Sequence, residues 1–227
     1  MKKIIATTTL VAALAAVTAQ AVESANIVGY AKKTVASGSF EIVSPQFSGT
    51  EAGTALGDAF GTVPDLTVIY VWNGSGYTEY TFFLEDGLGG NWYDGGFANA
   101  NAVVLDKGDS VWLKAGSSEA TPIMSGEVPS ADSVTNSISA GFNLIANPYP
   151  VALALDDIDL GGVADLDVIY VWNGSGYTEY TYFLEDGLGG NWYDGGFANA
   201  GGIQIPVGTG FWMKSASGGD LVFNKAY

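Results

Sequence analysis

Residues 65–100 and 165–200 are nearly the same sequence, displaced by 100 positions. The first copy reads DLTVIYVWNGSGYTEYTFFLEDGLGGNWYDGGFANA, and the second departs from it only at Asp167 (for Thr67) and Tyr182 (for Phe82). A weaker match continues outside: KGDSVWLK at 107–114 against VGTGFWMK at 207–214, and GSFEIVSP at 38–45 against GFNLIANP at 141–148. A chain built this way is expected to fold as two copies of one unit of about 100 residues, the ordinary size of a small domain. The units are read as 22–128 and 129–227, joined at the polar, Pro-containing stretch Val128–Ser133. The near-identity of the central patch has two explanations, recent copying of DNA or a surface used twice. In the flanks that drifted, Gly108/Gly208, Trp112/Trp212 and Lys114/Lys214 still agree. That Gly-x-x-x-Trp reads as a tight turn feeding a strand with a core tryptophan.

The local pattern is β. Val68–Trp72 is β-branched and aromatic, Asn73–Gly76 accepts positive φ, and Tyr77–Phe83 alternates. Strand, Asn-Gly turn and strand together predict a hairpin. Further short strands are expected at Val103–Leu105, Ser110–Leu113, Thr121–Met124, Leu144–Ile145, Ile203–Ile205, Phe211–Met213 and Leu221–Phe223. After the N-terminal segment, only Thr54–Phe60 and Ala152–Leu160 suit a helical turn. The expected fold class is all-β, with two tandem sandwich- or barrel-like units.

Residues 1–21 read as a secretory signal peptide. Lys2 and Lys3 start it, Ile4–Val17 is its short apolar core, and Ala19-Gln20-Ala21 fits the cleavage pattern. The core is too short for a membrane span, which needs about 20 apolar residues, and no second stretch of that length follows. The expected location is outside the cell or at its surface. Loss of Lys2 and Lys3 takes the formal net charge from −16 to −18.

Composition removes several chemistries. The chain has no histidine, cysteine or arginine, against 24 acidic residues and 8 lysines. That excludes an imidazole base, a thiolate nucleophile, a disulfide and a guanidinium grip on phosphate. The net charge repels nucleic acid and anionic membranes. No catalytic set is visible, and the chain is not read as an enzyme.

GFNLIANPYP at 141–150, VIYVWNG at 168–174 and GTGFWMK at 208–214 resemble a repeat found in uncharacterised secreted proteins of environmental bacteria. SANIVGYAKKTV at 24–35 is similar to the opening of such proteins. EIVSPQF at 41–47 departs from the pattern, lacking its Asn-Leu-Ile-Ala-Asn core. The resemblance implies export and a tandem β fold, and it implies no activity.

Three sets of residues are candidates for function. The chain ends suggest self-assembly. Leu221, Val222 and Phe223 align with the close of the first unit, and the Ile27–Val35 strand (Ile27, Val28, Gly29, Tyr30, Val35) lies where a continuation would run. Head-to-tail strand addition between copies of the chain would then build a filament, sheath or matrix. The alternative is carbohydrate binding to an extracellular polysaccharide on exposed loops, with Asn91, Trp92, Tyr93 and Asp94 and their copies Asn191, Trp192, Tyr193 and Asp194 as the platform. The same loops hold Glu85, Asp86 and Asp94, and Glu185, Asp186 and Asp194, a possible calcium set. Asp156, Asp157 and Asp159 form an acidic cluster, read as solvated turn acids.

Overall fold

The computed structural model describes residues 28–47, 53–84, 89–159, 164–184 and 190–227. The signal segment, Ile27, Glu85, Asp86, Glu185 and Asp186 lie outside these. The first half runs through β1 (Val28–Lys32), β2 (Phe40–Val43), β3 (Thr54–Ala55), the single turn α1 (Leu56–Ala59), β4 (Val68–Trp72), β5 (Tyr77–Phe83), β6 (Asn91–Asp94), β7 (Val104–Leu105), β8 (Val111–Lys114) and β9 (Ile123–Glu127). The second half repeats it in β10 (Ser133–Ile138), β11 (Gly141–Ala146), β12 (Leu153–Ala154), a 3-10 turn (Leu155–Asp157), β13 (Ile158–Asp159), β14 (Val168–Trp172), β15 (Tyr177–Phe183), β16 (Asn191–Asp194), β17 (Gln204–Ile205), β18 (Gly210–Ser215) and β19 (Gly219–Asn224). The protein is all-β, in two halves of about 100 residues. Among the described residues no helix is long and apolar enough to cross a membrane.

Each half is centred on a five-stranded antiparallel sheet, β2-β8-β4-β5-β6 and β11-β18-β14-β15-β16. The hairpin falls where the Asn-Gly signal puts it: Asn73 N donates to Gly76 O, and Asn73 Oδ1 accepts from the Ser75 and Gly76 amides. Alternation then sorts side chains between two faces of the sheet. Ile69, Phe82, Trp92, Val111 and Leu113 turn inward to the first half's own core, with Leu56 and Phe60. Ile169, Tyr182, Trp192, Phe211 and Met213 do so in the second.

One sequence expectation is corrected here. Asn91–Asp94 and Asn191–Asp194 are strands, not loops, and pair with β5 and β15. The chain ends meet strands of their own unit: Val28, Gly29 and Tyr30 pair with Glu127, Gly126 and Ser125, and Leu221, Val222 and Phe223 pair with Asn136, Thr135 and Val134. Val35 bridges Ala120. The β1–β9 ribbon of the first half is thus the counterpart of β10–β19 in the second. Each end strand therefore has one partner from its own half.

The two halves join along a reciprocal seam. Ser44 N donates to Gly208 O at 3.1 Å, and Ala146 N to Gly108 O at 2.7 Å. Val43 bridges Thr209, and Ile145 bridges Asp109. Each contact has its counterpart with the halves exchanged, the pattern of a two-fold interface. Gly108 and Gly208 have φ of 83° and 72°, where glycine is unstrained. The symmetry is not exact: Lys33 Nζ donates to Thr209 Oγ1 and Gln46 Nε2 to Asn147 O, and a Cβ on Gly210 would overlap the Ser110 side chain and meet Ile42 Cγ2 at 2.6 Å.

Gly210→Ser is therefore expected to cost about 1–3 kcal/mol by overpacking, measured by urea unfolding. Adding Ser110→Gly should recover most of the loss. Asp109, in the same seam, has its carboxyl pushed up to about 6 by burial, from an ordinary value of 3.8. An acid raised on folding stabilises the fold fully below pH 4 and loses that contribution as pH climbs to about 6. Asp109→Asn should accordingly gain on the wild type between pH 4 and pH 7, by up to about 3 kcal/mol, and show no gain at pH 3.

Candidate aromatic clefts

The outward faces of the two sheets carry the aromatic residues that the cores do not use. In β4 these are Tyr70 and Trp72, opposite in direction to Ile69 and Val71. β5 supplies Tyr77 and Glu79, each paired directly with Trp72 and Tyr70, while β8 supplies Trp112 and β2 Phe40. The duplication puts Tyr170, Trp172, Tyr177, Trp212 and Phe142 in the matching places. When the halves meet, these faces interlock with Ile42 and Leu144 into a third apolar cluster.

The interlock is specific. Trp72 packs edge-on against Trp212, with centroids 5.1 Å apart at 85°, and Trp172 against Trp112 at 5.1 Å and 78°. Each indole N–H crosses the seam to a backbone carbonyl: Trp72 Nε1 to Phe142 O at 2.9 Å, and Trp172 Nε1 to Phe40 O at 3.1 Å. Edge-to-face packing suits the ring quadrupoles, and the apolar body and polar edge of tryptophan are both satisfied. Trp112 and Trp212 are thus seam residues, not members of the core of their own unit as expected from the sequence.

The rings do not fill the space between them. One cleft of about 450 Å³ is lined by Phe40, Tyr70 and Trp112 of the first half, Trp172 of the second, and both Tyr77 and Tyr177. Its counterpart of about 390 Å³ is lined by Phe142, Tyr170, Trp212, Trp72, the same two tyrosines and Glu179. Tyr77 and Tyr177 remain 46% and 43% exposed. Burial raises the phenols of Tyr70, Tyr77, Tyr170 and Tyr177 above their ordinary range, so they stay protonated as donors and acceptors at neutral pH. Lys114 lies over the Phe40 ring at 5.4 Å and Lys214 over Phe142 at 5.7 Å. The result is a pair of open clefts with aromatic walls and a polar rim, inside the size range of small-ligand sites.

The residues proposed from sequence stand elsewhere. Trp92 and Trp192 are only 1% exposed and pack on Phe82 and Tyr182, with centroids 5.2 Å apart. They are core and offer no ring face to a ligand. Tyr93 and Tyr193 pack edge-on against Phe83 and Phe183. Asn91 accepts from Asn101. Asp94 closes a turn, its Oδ1 accepting from the Gly96 and Ala98 amides, as Asp194 does from Gly196 and Ala198. No group of three or more acidic residues suited to a metal occurs among the described residues, and Glu85, Asp86, Glu185 and Asp186 of the expected calcium sets lie outside them. Asn191 belongs to β16 beside Trp192. The signal for the clefts was present in the sequence: Val68–Trp72 is apolar on both faces, which marks a strand covered on both sides. No family model, no curated protein and no solved structure matches the chain.

Proposed function

We propose that the protein is an exported, non-catalytic carbohydrate-binding protein whose two aromatic clefts each hold a saccharide segment. The observation that carries this reading is the pair of matched clefts, formed by six aromatic residues each and present twice because the sequence is. A sugar ring has an apolar C–H face for an aromatic wall and hydroxyls for the tyrosines and glutamate at the rim. A polysaccharide that reaches both clefts binds with the avidity of a two-site contact. The reading also gives the near-identity of the central patch a use, since β4 and β5 of each half serve both clefts.

Tyr77 and Tyr177 line both clefts and lie outside the cores, so the double variant Tyr77→Ala/Tyr177→Ala separates binding from folding. On an array of extracellular polysaccharide fragments the intact protein should bind, and the double variant should bind at least tenfold more weakly, about 1.4 kcal/mol, with little change in melting temperature. An intact protein that binds no glycan, or a double variant that binds as well, overturns the reading.

A second reading keeps one observation in its favour. Among the described residues β1 is paired on one edge only, and its Val28 and Tyr30 are 75% exposed. An edge strand of this kind accepts another strand, which supports a role as a subunit of a filament, sheath or matrix. Sedimentation of the mature chain should then show polymers that Tyr30→Lys abolishes; a monomer at every concentration removes this reading.

A further inference from the structure

The two halves differ most where the second is open and the first is plugged. In the first half Phe60 is fully buried, with its ring edge-on to Trp92 at 6.4 Å, and its carbonyl accepts from Ile123 N in β9. In the second half the residue that meets the equivalent position of β19 is Asp159, paired with Val222. An exposed carboxylate stands where the first half has a buried ring, while Ile158, one residue before it, enters the core where the first half has Ala59. At this place a cavity of about 740 Å³ opens onto Trp192, lined also by Leu155, Asp156, Asp157, Asp159 and Tyr182.

Three further differences gather there. Tyr182, one of only two changes in the duplicated stretch, puts a hydroxyl at the cavity where Phe82 has none. The other change, Asp167, is explained separately: it accepts from Ser215 Oγ and the Ala216 amide, and the first half has Ala115 in place of Ser215. Gly57 and Asn101 are replaced by Asp156 and Gly201, and the Asp156 carboxylate occupies the space a side chain at 201 would take. Finally, Trp192 Nε1 is buried and meets no hydrogen-bond acceptor. An unpaired buried donor is costly to a fold, and such a group in a native structure calls for an acceptor from outside the chain.

The geometry points to a binding site for an uncharged polyhydroxyl ligand, a sugar ring or its end group, in the cavity of the second half. The ligand must accept a hydrogen bond from Trp192 and donate to Asp156, Asp157 and Asp159. A cation answers the carboxylates and leaves the indole unpaired. An anion answers the indole and is repelled by three carboxylates. Neighbouring hydroxyls do both with no charge to bury. Lys225, at the rim, does not neutralise the acids: its Nζ donates to Ser130 O at 3.1 Å and lies 3.6 Å from Asp132. This site is independent of the aromatic clefts in position and in chemistry.

The test follows the indole N–H of Trp192 by ¹⁵N–¹H NMR on the whole protein, its cross-peak identified by its loss in Trp192→Phe. Glucose, galactose, mannose and their methyl glycosides are titrated at millimolar concentration, with a lysine-rich peptide and calcium chloride as separate arms. At least one sugar should move the Trp192 peak saturably. Trp192→Phe, which keeps an aromatic ring in the core and removes the N–H donor, should weaken that sugar at least tenfold by calorimetry. Asp159→Phe, which restores the plug of the first half, should abolish it. Both variants should keep whatever glycan binding the Tyr77 and Tyr177 clefts show, so loss at one site is distinguishable from loss at the other. A Trp192 peak that no sugar moves, a peak that answers only the peptide or calcium, or a Trp192→Phe protein with unchanged affinity overturns the proposal.

Discussion

Two indole N–H groups reach across the middle of this molecule, and the arrangement of the rest depends on them. Trp72 and Trp172 each donate to a carbonyl of the opposite half and each lie edge-on to a tryptophan of that half. The halves are held face to face by contacts that come in exchanged pairs. The four tryptophans also hold the sheets at a spacing that leaves open clefts beside them. The tryptophans of the joint are therefore also walls of the candidate binding surface.

The same geometry explains how the copies diverged. The aromatic residues of the seam and the hairpin turn are the same in both halves, while the aliphatic and polar seam positions differ, as in Ile42/Leu144, Val43/Ile145 and Asp109/Thr209. Differences also lie at the far side of each core, where the first half has Phe60 buried and the second has Asp159 at the rim of a cavity. They also occur where the symmetry itself forbids identity, at Ser110 and Gly210, which face each other too closely for two side chains. Several changes travel together for physical reasons: Asp167 has its partner in Ser215, and Asp156 has its space in Gly201.

Much of the fold was legible in the sequence because its signals are local. The Asn73–Gly76 turn, the alternation of Tyr77–Phe83 and the offset of 100 fall where the structure has them. The short helical turns expected at 54–60 and 152–160 are there as α1 and the 3-10 turn. What was not legible depends on long-range pairing. Asn91–Asp94 sits among glycines and reads as loop, yet it becomes a strand because β5 offers it an edge and Trp92 a core to enter. Ser133 reads as the end of the polar join and 134–138 shows no strand signal, yet Ser133–Ile138 becomes β10 by pairing with the last strand. The candidate site was misplaced for a related reason. Six tryptophans look alike in a sequence, and only the pleat of the sheet, with the second half packed against it, decides that Trp92 is core while Trp72 and Trp112 form the wall of a cleft.

The most direct measurement is a map of the residues that a bound oligosaccharide touches, read from amide and indole NMR perturbations across the whole chain. The account predicts changes in two matched groups around Tyr77, Trp112 and Trp172, and around Tyr177, Trp212 and Trp72. Perturbations confined to 91–98 and 191–198, or absent from the seam, would contradict it.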